Sequence, residues 1–168
     1  MRYCPFFCVA LWLSCVTLVH AQSMKLTDGD QPIHIQANIM TLDDTNKIST
    51  FEGNVRMTQG SIKITANKVQ LSQDAKGMST IHAWGKPVSF EGRSAKTNKL
   101  VQGWSDEVVY KETEESIVLM GNARILSEGD EIRAQTIRYF RSTGEYKADG
   151  AKTGSPVFVT IQPRKKEK

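Results

Sequence analysis

Beyond residue 21, the side chains able to do proton-transfer or metal chemistry come down to His34, His82 and the acidic run Glu112, Glu114, Glu115. Histidines serve as metal ligands or general bases, and carboxylates this close could hold calcium or form an acid–base pair. Neither set has the partners such chemistry needs. The histidines are far apart, no cysteine lies beyond residue 21, and there is no Gly-x-Ser-x-Gly turn or glycine-rich phosphate loop. His34 alternates with Ile33 and Ile35 and reads as a solvated strand residue, while His82, beside Trp84-Gly85, reads as structural. The acidic run lies between Val108-Val109-Tyr110 and Ile117-Val118-Leu119, where a hairpin tip belongs, so it reads as a solvated tip. A polysaccharide-cleaving β-helix would want carboxylates converging on one exposed face, and no acidic position repeats in that way. The sequence therefore predicts no catalytic residue, no metal site and no cofactor.

The elements that remain begin after a leader. Arg2 precedes an apolar run from Phe6 to Val19 that ends in Val19-His20-Ala21, the pattern of a secretory signal and too short to span a bilayer comfortably. Cleavage after Ala21 is expected to leave 147 of the 168 residues. Lipidation at Cys15 is the alternative, disfavoured by Trp12 upstream and by the apolar run continuing past the cysteine. All three cysteines, Cys4, Cys8 and Cys15, fall inside the leader, so the exported chain must rely on core and strand pairing in one domain. The expected division is a leader at 1–21, a lead-in at 22–31, one domain at 32–162 and a basic tail at 163–168. Acids and bases are interspersed up to Arg164-Lys165-Lys166, and the net charge of the whole chain is only +4, so no nucleic-acid partner is expected.

Within the domain, apolar residues alternate with period two, as in Ile62, Ile64 and Ala66 against Ser61, Lys63 and Thr65, the signature of half-buried strands. No stretch keeps a capped helical period, and the chain reads as all-β. Turns are marked by Asp43-Asp44, Asp74 to Gly77, Glu112 to Glu115, Glu128-Gly129-Asp130 and Ser142-Thr143-Gly144.

One pattern recurs: a small residue, Asn/Asp/Gln, any, aliphatic, any, Leu or Tyr. It begins at Ala37, Ala66, Ser105 and Ala134, spaced 29, 39 and 29 residues apart, so the chain reads as two halves of two hairpin units each. At each copy the alternation slips by one: Ile62, Ile64 and Ala66 are even, yet Val69 and Leu71 are odd. A strand that kept its pleat would put one set into water. A bulge at Asn38, Asn67, Asp106 and Gln135 avoids this by bending each strand into two facing layers, with a glycine (Gly53, Gly85, Gly121, Gly150) after each following hairpin. Pro87 and Pro156 are expected at strand starts or edges.

The inward set comprises Ile33, Ile35, Ile62, Ile64, Phe90, Val108, Tyr110, Ile132, Tyr139 and Phe158. It lines either a filled core or an incompletely closed apolar slot. The stack leaves unpaired edges at both ends: Ile33, His34, Ile35, Gln36 and Ala37 at the start, and Val157, Phe158, Val159, Thr160 and Ile161 at the finish. Pairing of one edge with the other would be head-to-tail and open-ended.

The runs DQPIHIQAN (Asp30 to Asn38), STFEGNVRMTQGSIKITANKV (Ser49 to Val69), GKPVSF (Gly85 to Phe90) and LMGNARI (Leu119 to Ile125) closely resemble the LptA family of periplasmic lipopolysaccharide export proteins. The likeness follows the chain after the leader in order, departing at Phe51-Glu52-Gly53, where Phe-Thr-Gly is commoner, and in a shorter tail. It implies a twisted, slightly open β-jellyroll of stacked antiparallel strands with a hydrophobic groove, and a non-enzymatic lipopolysaccharide carrier without cofactor. Lipid contact is implied at Ile33, Ile35, Phe90 and Val108; with the alternation, Ile62, Ile64, Tyr110, Ile132 and Tyr139 complete the candidate groove. Implied partners are lipopolysaccharide, an LptC-type inner-membrane protein at the first strand, an LptD-type outer-membrane protein at the last, and further copies of the chain. The alternative reading is an envelope scaffold with a filled core that pairs strands and carries no lipid.

Overall fold

The structure, a computed structural model, describes residues 28–151 and 154–163; the expected leader, most of the lead-in and the tail beyond Pro163 lie outside the described residues. The ten strands among the described residues belong to one antiparallel sheet: β1 (His34–Gln36), β2 (Ile39–Asp43), β3 (Ile48–Gln59), β4 (Ile62–Gln73), β5 (Ser79–Arg93), β6 (Leu100–Lys111), β7 (Ser116–Ser127), β8 (Asp130–Phe140), β9 (Glu145–Asp149) and β10 (Phe158–Thr160). The order is β1-β3-β4-β5-β6-β7-β8-β10, with β2 also on β3 and β9 also on β8. Among the described residues the helical elements are single 3-10 turns, at Asp28–Asp30 and Glu112–Glu114.

Strands β3 to β8 are long, and each is bent near its middle. The register shifts between Glu52/Val55, Thr65/Lys68, Trp84/Val88, Trp104/Glu107 and Met120/Ala123, in a row across the sheet. Asn67 and Asp106 lie inside these breaks, Gln135 lies opposite the last, and Asn38 separates β1 from β2. The phase slips were therefore correctly read as corners. Opposite Asn38 and Asp106, Gly53-Asn54 and Gly121-Asn122 each place two successive residues at positive φ (79° and 49°; 74° and 50°), a pairing that glycine and asparagine tolerate best. At the corners of β3 and β7 the bend thus combines a polar residue on one strand with Gly-Asn on the next, whereas the corner of β5 carries Gly85-Lys86-Pro87.

The seam divides the sheet into two facing walls. One comprises β1, the later halves of β3, β5 and β7, the earlier halves of β4, β6 and β8, and β10; the other comprises β2, the complementary halves, and β9. Alternation holds within each wall, so β4 buries Ile62, Ile64 and Ala66 before the corner and Val69 after it, and both sets face the same interior. The core runs from Val55 and Met57 through Ile81, Phe90, Val108 and Leu119 to Ile137 and Tyr139.

Two expectations need correction. Pro87 is neither a strand start nor an edge; it lies within β5, a strand paired on both sides, but inside the corner where the β5–β6 ladder is interrupted and no ladder donor is missed. Phe158 does not face inward. The register pairs Val159 with Ile132 and Phe158 with Arg133, so Val159 shares the inner face and Phe158, 62% exposed, lies on the outer one.

Candidate functional site

The interior between the walls is apolar along its length but unevenly filled. Ile62, Ile64, Phe90, Val108, Tyr110 and Tyr139 are at most 2% exposed and pack in one cluster, whereas Ile33, Ile35 and Ile132 are only partly buried against it. The structure thus brings all nine candidate groove residues to one inner surface, filled in the middle and opening toward both edges. At the first edge Ala37, Phe51 and Leu71 join Ile33 and Ile35; at the last, Ala134, Tyr146 and Ala148 join Ile132. Burial raises the Tyr110 hydroxyl to about 12 and pushes those of Tyr139 and Tyr146 up, because a phenolate would be poorly solvated in this interior.

Near the last edge the inner face hollows into a cavity of about 420 Å³. Val101, Ile125, Ile132, Tyr139, Tyr146, Val159 and Ile161 form its apolar surface, and Tyr139 and Tyr146 stack with ring centroids 4.7 Å apart. Sequence reasoning missed Val101, Ile125 and Tyr146, although the alternation that found Ile132 and Tyr139 covers them equally.

Both end strands have one paired side. β1 pairs with β3 through His34↔Thr58 to Gln36↔Arg56, and β10 with β8 through Phe158↔Arg133 to Thr160↔Glu131, leaving their other sides without a partner strand among the described residues. The second wall ends in the same way, on β2 and β9. Ile39, Met40 and Leu42 on β2 are 58–62% exposed, as are Phe158 and Val159 (57%) on β10, with Ile161 at 73% just beyond it.

The outer faces are polar, with pairs such as Lys63–Glu91 at 3.0 Å and Lys68–Glu52 at 2.9 Å bridging neighbouring strands. His82 stacks on Trp84 at 3.8 Å and bonds Glu107, in keeping with a structural role, and His34 is exposed on the outer side of β1. The acidic tip is less idle than a solvated tip: Glu112 accepts the Ser79 N–H at 2.7 Å, and Glu114 pairs with Lys111 at 3.1 Å and Arg138 at 3.5 Å.

Residues 34–145 match the family model described as "LptA/(LptD N-terminal domain) LPS transport protein". Among similar proteins, the lipopolysaccharide export system protein LptH of Pseudomonas aeruginosa is 31% identical over 161 residues, covering 90% of this chain and 92% of that one. The lipopolysaccharide export system protein LptA of Escherichia coli K12 is 34% identical over 139 residues, covering 80% of this chain and 75% of that one. The crystal structure of Pseudomonas aeruginosa LptH, described as the LptA-homologous periplasmic component of the lipopolysaccharide transport device, superposes with a TM-score of 0.75 at 30% identity, covering 81% of this chain and 99% of that one.

Proposed function

Because the chain belongs to the LptA/(LptD N-terminal domain) lipopolysaccharide transport family, we propose that it is a non-enzymatic periplasmic carrier that shields the acyl chains of lipopolysaccharide between its two walls. It hands them along an assembly of like sheets joined edge to edge from the inner to the outer membrane. The observation that carries this reading is the inner surface itself: one apolar strip that runs alongside the seam from Ile35 at the first edge to Ile132 and Val159 at the last. An acyl chain of about a dozen carbons left in water costs on the order of 10 kcal/mol, at about 0.8 kcal/mol per methylene, and a continuous apolar strip removes that cost. The interior holds aliphatic and aromatic groups with few polar anchors, so attachment is non-directional and the cargo can slide.

In this reading Ile33, Ile35, Ile62, Ile64, Phe90, Val108, Tyr110, Ile132 and Tyr139 contact lipid. The β1 edge receives an LptC-type partner or a preceding copy, and the β10 edge an LptD-type partner or a following copy. Photo-crosslinking residues at Ile35 and Phe90 are expected to capture lipopolysaccharide in growing cells, with His34 as the outward control. Capture at His34 alone would refute the groove.

The second reading, a strand-pairing scaffold without lipid cargo, is favoured by the filled middle at Ile62, Ile64 and Val108. It predicts concentration-dependent lengthening with no lipid binding by the purified chain. Light scattering run beside a lipid-binding assay separates the two.

A further inference from the structure

Opposite the seam, the free lips of the two walls meet under the segment Asp28 to Gln31, which lies across them as a strap. Its main attachment is one carboxylate. Asp28 accepts the backbone N–H of Ser61 at 2.7 Å and its hydroxyl at 2.7 Å, and pairs with Arg141, which projects from the opposite wall's last turn. A side chain at Gly60 would run into that carboxylate, so the β3–β4 turn is shaped to admit it. The strap also accepts long bonds from Gln59 Nε2 at the carbonyls of Gly29 (3.4 Å) and Gln31 (3.3 Å), and none of the residues of its 3-10 turn is buried.

The donors beneath are built more firmly than the strap above them. Arg141 is 5% exposed; it also donates to the Arg93 carbonyl at 3.2 Å, its backbone N–H donates to Glu115 and its carbonyl accepts from Ala95. The Ser61 hydroxyl in turn accepts the Arg93 N–H at 3.1 Å. Yet Arg141 Nε is buried with no partner. The carboxylate satisfies one nitrogen of a guanidinium fork whose geometry suits two oxygens, and leaves the other empty. A group with three acceptor oxygens fits this fork and the two Ser61 donors better than a carboxylate with two. Acidic side chains nearby are Glu112, occupied by the Ser79 N–H, Glu115, whose backbone carbonyl accepts the Arg141 N–H, and Asp30 on the strap itself.

We propose that Arg141 and Ser61 form a phosphate-binding site at the lip, held at rest by the chain's own Asp28 carboxylate, and that a phosphate of the glycolipid cargo replaces Asp28 there. This rests on the lipid-carrier reading and adds a place for the headgroup: acyl chains lie among Tyr110 and Tyr139 inside, and the phosphate lies at the rim above them. Displacing Asp28 frees the strap, while Arg141 keeps its bonds to Arg93 and Ala95 of the facing wall, so the phosphate takes the place of the strap without the walls parting there.

The test uses the mature chain with two probes, phosphorylated lipid A and the same lipid stripped of phosphate, and inorganic phosphate as competitor. Asp28→Asn removes the competing charge and is expected to tighten phosphorylated lipid A about tenfold while leaving the stripped lipid unchanged. Ser61→Ala, a single-atom deletion in a half-buried turn, is expected to weaken the phosphorylated lipid about threefold or more and the stripped lipid not at all. Inorganic phosphate is expected to compete with phosphorylated lipid A in the Asp28→Asn chain only at far higher concentration, which would identify the lipid as the source that fills the site. Equal effects on both lipids, or no competition by phosphate at any concentration, overturn the site while leaving the carrier reading intact. Binding of neither lipid by the wild-type chain overturns both.

Discussion

Replacing Gly121 by alanine tests whether the seam holds the two walls in register. Gly121 has φ +74°, and an L residue in the left-handed region costs about 1–2 kcal/mol. A Cβ there would lie 2.6 Å from Asp106 Oδ2, closer than real contacts allow. Asp106 must then rotate away and give up the 2.9 Å bond it accepts from Asn122 Nδ2, worth about 0.5–1.5 kcal/mol. The expected total is about 2–3 kcal/mol. Gly77 is the matched control: its φ is +80°, but a Cβ there meets nothing within 4 Å, so alanine should cost only the backbone part, about 1–2 kcal/mol. For a domain of this size each kcal/mol lowers Tm by roughly 2–4 °C, so thermal unfolding followed by circular dichroism should place Gly121→Ala several degrees below Gly77→Ala. If the two variants melt together, the Asp106 contact carries nothing and the corner is not held by the polar residue facing Gly-Asn.

Three further outcomes are expected. Tyr110 is raised by burial to about 12, so the fold keeps its proton where the unfolded chain has lost it; stability is full below pH 10 and falls by about 3 kcal/mol between pH 10 and 12, a slope that Tyr110→Phe should reduce in urea melts at pH 9 and 11. Glu131 is held below the usual 4.5 first by its bond from Arg133 and then by that from Arg124, so its contribution is present above pH 4.5 and lost as the pH falls through the lowered value; Glu131→Gln should flatten that part of the acid limb, and an unchanged limb counts against the pairing. Val159→Lys with Ile161→Lys, at positions 57% and 73% exposed, should leave the monomer's melting nearly unchanged but suppress concentration-dependent lengthening in light scattering, and unaltered lengthening would remove β10 as a joining edge.

The corners were legible because burial constrains both walls at once. A period-two pattern that slips at Asn67 while apolar residues continue on either side has few physical solutions, and a bend is the simplest. Pro87 misled because the rule that confines proline to edges also admits bulges, and the sequence around it keeps a strand pattern through the corner. Phe158 misled for a different reason: in Val157-Phe158-Val159 both faces are apolar, so alternation gives no sign, and only the pairing of Val159 with Ile132 decides it. The strap could not be read at all. Asp28 and Arg141 are 113 residues apart, and each looks like an ordinary charged residue in a turn until the walls bring the turns together.

The filled middle and the two open ends belong to one design. Each end of the sheet is a split strand, β1 with β2 and β9 with β10, so both ends present the same two-walled cross-section with partly buried apolar residues inside it. Those residues complete their burial only when a second cross-section of the same kind abuts them, and edge pairing would supply that cover and the continuity of the interior in one step. The middle needs no permanent channel for this to work. On the carrier reading, an acyl chain entering between Ile64 and Val108 would exchange apolar contact with side chains for apolar contact with itself, so parting the walls behind it would expose little to water, and the walls could close again once it had passed. What ties the walls at the lip is polar: Asp28 bridges Ser61 and Arg141, and Arg141 also bonds Arg93 and Ala95 of the facing wall. On the carrier reading, the long apolar strip would govern the ease of movement of the acyl chains, and the lip cluster would hold the headgroup at the rim.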